Sequence, residues 1–168
     1  MLVSLRMSCW LPGIIDRAIS QETADKYSVP LRRVATRKYT IDPATPSYKA
    51  VRRALGDLRT RHYWYTLPWA HHGAQILPAI LFAKYSDDMR GLIARYTEAA
   101  DAFCAEFPAL TVRAVAETHG LVTEKDFPAN IRDRFGVDLQ VMPIPTVADF
   151  RVQMSDEAAM RLREQMQA

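Results

Sequence analysis

The chain holds 168 residues, 49% of them hydrophobic and 24% charged, which suits one well-buried domain and excludes wholesale disorder. Lysine and arginine number 22 against 19 aspartates and glutamates, a formal net charge of +3 that selects no partner until its distribution is known. Two cysteines, Cys9 and Cys104, exclude a disulfide-stapled miniprotein and a four-cysteine zinc centre.

The first ten residues are apolar but carry Arg6, and no small-residue cleavage site follows them. No window approaches the run of about 18 uncharged apolar residues that a bilayer span needs. The expectation is a cytoplasmic protein with no membrane partner and with both thiols reduced.

Residues 2–10 alternate, with Val3, Leu5, Met7 and Cys9 on one side and Ser4, Arg6 and Ser8 on the other, a period that predicts a half-buried strand. Pro12-Gly13 breaks it. Residues 15–27 are polar and carry a thin stripe of Ile15, Ala18, Ile19 and Ala24, which fits a short helix ended by Pro30. Residues 33–41 are β-branched and aromatic and read as a second strand.

After the Asp42–Pro46 loop, Ser47 is a fit N-cap, and Val51, Leu55, Leu58 and His62 recur at steps of four, three and four. That spacing predicts a helix to about Tyr63. Residues 62–78 hold two prolines, a glycine, aromatics and three histidines without a period, and read as an ordered aromatic loop. Then Phe82, Tyr85, Met89, Leu92, Tyr96, Ala99 and Phe103 alternate steps of three and four. They predict a helix over 79–107, on the order of 40 Å long.

Pro108 is expected to interrupt or kink that helix, with a shorter helical run from Leu110 to Gly120. Asp126-Phe127-Pro128 would open another short helix to Gly136, with Ile131 and Phe135 on one side. Val137, Leu139 and Val141 alternate with polar residues in a strand over 137–144, and residues 149–154 fit one more. Ser155, followed by Asp156 and Glu157, caps a final helix over 155–168. The sum is a single α+β domain over 1–154 with a C-terminal helix: a small sheet of three or four strands against several helices, one of them long.

The net charge hides an asymmetry. Residues 1–75 carry 12 basic and 5 acidic side chains; residues 76–168 carry 10 and 14. Within 32–61 there are nine basic residues, seven of them arginine, and only Asp42 and Asp57 opposing them. Tyr63, Trp64, Tyr65 and Trp69 follow at once. Basic groups neutralise phosphates and flat rings stack unpaired bases, so a protein that grips a single strand needs both close together. The candidate contacts are Arg33, Arg37, Lys38, Arg52, Arg53, Arg59 and Arg61 for phosphates, and Tyr63, Trp64 and Trp69 for bases. The same residues also fit a plainer reading, a solvated helix face beside ordinary core aromatics.

Catalytic and metal chemistry have little to stand on. His71-His72, His62 and His119 show no ligand spacing, and there is no P-loop, GxGxxG or GxSxG motif. Nothing in the sequence orients a Cys104–His119 dyad, and the Asp87-Asp88 pair suits a helix start. The expectation is a non-enzyme without cofactor or metal.

At Leu67-Pro68-Trp69, with Gly73 and Leu77-Pro78, the chain resembles a family of accessory proteins from tailed phages and integrative elements. The likeness runs from about Leu2 to Phe150: a strand ending near Trp10, a polar helix, a basic segment, the Leu-Pro-Trp…Gly…Leu-Pro loop and a long amphipathic helix. Where relatives tend to be acidic after the tryptophan, this chain has Ala70-His71-His72. The resemblance implies a phage-encoded accessory protein in the bacterial host cytoplasm, near recombination and single-strand-annealing functions, and it transfers no catalytic residues.

Three functions fit these observations. The first is a non-enzymatic protein binding nucleic acid, single-stranded DNA above all, in recombination or replication and as a homo-oligomer. The second is a protein-binding inhibitor or adaptor that offers the long or the C-terminal helix to a host or phage protein. The third is a virion structural component assembled by charge complementarity between the two halves.

Overall fold

The computed structural model describes residues 1–69 and 73–144, and over these the chain is an α+β protein. Strand β1 (Leu2–Ser8) runs as its alternation predicts. It is flanked by two antiparallel partners, β5 (Ala74–Ile76) and β6 (Gly136–Met142), and a two-residue β4 (Leu67–Pro68) extends the β5 side, giving the order β4-β5-β1-β6. The register places Leu5 opposite Leu139 and Met7 opposite Val137 on the core face. Arg6 opposite Asp138 and Ser4 opposite Gln140 occupy the other face, so the sheet has one wet side.

Against the core face lie α2 (Pro46–Tyr65) and α3 (Phe82–Glu117), which pack on each other along their lengths. Most residues that recur at helical spacing in the sequence are buried: Val51, Leu55, Leu58 and His62 from α2, and Tyr85, Met89, Tyr96 and Phe103 from α3; Leu92 and Ala99 are half-buried, and Phe82, the first residue of α3, is exposed. One end of this core is aromatic. Trp10 meets Phe107 with ring centroids 5.4 Å apart, and Phe103 meets Phe135 at 5.7 Å, both edge to face. Polar tips in the same region find partners: Tyr48 donates its hydroxyl to the Trp10 carbonyl at 3.0 Å, and Tyr96 donates to the Ser8 carbonyl.

A second, two-stranded sheet sits beside this core. Strand β2 (Gly13–Ile15) pairs with β3 (Arg37–Tyr39), and α1 (Arg17–Lys26) connects them by way of a 3-10 turn at Leu31–Arg33. Asp16 caps α1, its carboxylate accepting from the Ile19 N–H at 3.1 Å.

Four expectations are corrected here. The aromatic loop over 62–78 contains β4 and β5, because Leu67-Pro68 and Ala74–Ile76 form a hairpin that completes the sheet. The strand expected over 33–41 shrinks to three residues: Arg33 ends the Leu31–Arg33 turn, residues 34–36 are irregular, and only Arg37–Tyr39 find a partner, in β2. Pro108 neither breaks α3 nor ends it. It removes one backbone donor on the exposed side, while Phe107 and Leu110, buried on either side of it, hold that turn to the core, and the helix runs on to Glu117. The helix expected from Asp126 to Gly136 is instead two 3-10 turns, Glu124–Asp126 and Arg132–Arg134. Phe127 precedes Pro128 and is therefore extended, with ψ 146°, and the α conformation is closed to it. The strand expected over 149–154 and the helix expected over 155–168 lie outside the described residues.

Candidate nucleic-acid interface

Because α2 buries one stripe, its remaining faces carry the charge. Lys49, Arg52, Arg59 and Tyr63 fall at intervals of three, seven and four, which sets them along one flank. Gly56 falls in the middle of that flank, and a Cβ built there would meet nothing within 4 Å. Arg53, Arg61 and Trp64 lie further round the same exposed surface. All of these side chains are exposed.

Their electrostatic situations differ. Arg61 is engaged: it lies 3.5 Å from the Asp88 carboxylate of α3, and its guanidinium stands 5.7 Å from the centre of the Trp64 ring. Asp88 also accepts a hydrogen bond from the Tyr65 hydroxyl at 2.7 Å, which holds that phenol above its ordinary pKa. Lys49, Arg52, Arg53 and Arg59 have no ion-pair partner among the described residues. Arg52 stands beside the Cys9 thiol; burial pushes that thiol up, and the arginine only partly offsets it. Cys104 is likewise pushed up by burial, so neither thiol is activated as a nucleophile.

The aromatic candidates are out in solvent, with Trp64 68%, Tyr63 56% and Trp69 47% exposed. Trp10, which the sequence marked only as the end of a strand, is the indole that packs in the aromatic end of the core.

Three of the basic candidates belong to the smaller sheet. Arg33 and Arg37 are exposed, on the 3-10 turn and on β3. Lys38 faces inward. Its ammonium donates to Asp126 Oδ2 and to the Leu121 carbonyl, both at 3.0 Å, and lies 3.5 Å from Asp16. The Asp126 hydrogen bond is the main reason its pKa is raised, and its side chain is 13% exposed. The structure thus gives Lys38 a tertiary anchor and turns it away from any surface shared with Arg37.

Sequence reasoning overlooked Arg95 of α3. With Asp57, Thr60, Arg61 and Leu92 it lines a cleft of about 250 Å³ between α2 and α3. Arg95 stands far from Arg61 in sequence, and only the antiparallel packing of the helices brings the two to one cleft. A wider cleft of about 630 Å³ is lined by Cys9, Trp10, Leu11, Phe127, Pro128 and Arg134 among others.

His62, read as part of the apolar stripe, is buried, with Nδ1 2.8 Å from the Tyr85 hydroxyl. Burial lowers the histidine pKa and pushes the tyrosine up to about 12. His71 and His72 lie outside the described residues. Among the described residues no group of three histidine, cysteine or acidic side chains is placed to hold a metal ion, and no helix is long and apolar enough to cross a membrane.

No family model matches the chain, and no curated protein or solved structure matches it.

Proposed function

We propose that this is a non-enzymatic accessory protein that binds single-stranded nucleic acid through the exposed surface of α2. One observation carries the reading: four cationic side chains without ion-pair partners among the described residues share a helix surface with two exposed rings, Tyr63 and Trp64. An unpaired guanidinium has its bidentate geometry available for a phosphate, and an exposed ring held on a helix gives an unpaired base a face to stack on. The open space over Gly56 leaves room for a backbone to approach between Arg52 and Arg59. The likeness of the Leu67-Pro68-Trp69 segment to a phage accessory family agrees with work on single strands during recombination or replication in a bacterial cytoplasm.

A second reading, a protein-binding adaptor, rests on Ile80 and Leu67, which are 91% and 61% exposed. The apolar stripe of α3 does not add to it, because that stripe is covered within the chain by α2 and the sheet.

The test is charge reversal. Fluorescence anisotropy of a labelled single-stranded oligonucleotide should report binding by the native chain and its loss in Arg52→Glu/Arg59→Glu, with the melting temperature unchanged. Equal binding by both proteins refutes the α2 assignment.

A further inference from the structure

The two-stranded ribbon β2–β3 presents a second ring that the α2 reading does not use. Arg37 and Tyr39 are two residues apart on β3 and therefore share a face, while Lys38 between them points the other way. Across the pair, Gly13 lies opposite Tyr39 and Ile15 opposite Arg37. The tyrosine ring lies over the glycine: a Cβ at position 13 would stand 3.1 Å from Tyr39 Cε1 and 3.5 Å from Cδ1. A ring resting on a cross-strand glycine is supported from below by backbone, and here it stays open above, since Tyr39 is 52% exposed.

The platform is also fixed in place. Lys38 ties the underside of the ribbon to Asp126, Asp16 and the Leu121 carbonyl, and the Thr40 hydroxyl and N–H both donate to the Pro12 carbonyl at 2.9 Å. The charged side chains of its two strands, Arg37 and Lys38, are both basic. Arg37 on the face and Arg32 and Arg33 on the preceding turn have no ion-pair partner among the described residues, and Asp16, the acidic group closest in the chain to β2, is taken by Lys38.

Resting on the nucleic-acid reading of α2, we propose that Tyr39 is a second stacking site, taking one unpaired base on its ring with the adjoining phosphate on Arg37. A supported flat ring with a guanidinium at its side complements a nucleotide on both counts, apolar face and negative charge, and it does so without reading sequence. The ribbon leads into α2 through residues 40–45. Seven residue steps separate Tyr39 from Pro46, so the start of α2 lies within about 25 Å of the ring along the chain.

The experiment compares native protein, Tyr39→Ala and Tyr39→Phe on two single strands of equal length, one with bases and one abasic, at fixed salt. Stacking predicts that Tyr39→Ala weakens binding of the base-bearing strand roughly 5- to 100-fold. Tyr39→Phe should restore it, and all three proteins should bind the abasic strand equally. Loss on both strands, or a phenylalanine that fails to rescue, would overturn the stacking role. So would unchanged affinity of Tyr39→Ala for the base-bearing strand while Arg52→Glu/Arg59→Glu still abolishes binding, and that result leaves the α2 reading standing. Native protein that binds neither strand removes both.

Discussion

His62 Nδ1 and the Tyr85 hydroxyl share a hydrogen bond of 2.8 Å where α2 packs on α3, both residues buried, and burial disfavours the imidazolium. The folded histidine therefore takes up a proton less readily than the unfolded one, whose pKa is about 6.5. Stability from this group is complete above that value and is lost as the pH falls below it toward the depressed folded pKa. The melting temperature should drop between pH 7 and pH 5, and His62→Gln should flatten that dependence. A profile equally steep in the variant would place the proton uptake elsewhere.

Lys38 and Arg37 are sequence neighbours with opposite duties. Lys38→Ala leaves Asp126 half-buried without its cation and should cost about 1–2 kcal/mol in urea denaturation. Arg37→Ala removes an exposed charge and should stay within about 0.5 kcal/mol of the native protein. Asp126 reinforces the contrast at low pH. Burial alone would raise its carboxyl, but hydrogen bonds from the Thr123 N–H and Lys38 outweigh that and hold it below the ordinary range. Its contribution is present above the unfolded carboxylate pKa of about 3.9 and fades as the pH falls through the lower folded value.

The tryptophans separate in the same way. Trp10 contacts Tyr48, Phe103 and Phe107, and Trp10→Ala should cost about 3–5 kcal/mol. Trp64→Ala, at a position 68% exposed, should cost about 1 kcal/mol or less, measured by the same denaturation.

Gly56 sits inside α2 with no packing neighbour within 4 Å of a would-be Cβ. Gly56→Ala should therefore stabilise the fold by about 1 kcal/mol through helix propensity alone. A destabilised variant would show that the flank is crowded.

The two main helices and β1 were legible because their apolar residues keep strict periods; α2 and α3 bury most of the side chains their spacing names, while Phe82, at the exposed start of α3, stays out. β4 and β5 were not, since strands of two and three residues beside Pro68 and Gly73 show no alternation; β5 takes its pairing from β1, about 70 residues away, and β4 takes its from β5. The two 3-10 turns escaped because Pro128 looks tolerable at a helix start, while its effect falls on Phe127 before it. At the site, the basic run and the neighbouring rings could be read from the sequence, but not that Tyr63, Trp64 and Trp69 face solvent while Tyr65 is buried. Lys38 could not be told from Arg37, because the difference lies in Asp126, 88 residues further along.

The claim that phosphates bind along α2 is tested most directly by the salt dependence of single-strand binding. Four contacts, from Lys49, Arg52, Arg53 and Arg59, predict that log K falls against log salt with a slope of about −3, and that Arg52→Glu/Arg59→Glu at least halves it. An affinity indifferent to salt in the native chain, or a slope the charge reversal leaves intact, would contradict the account.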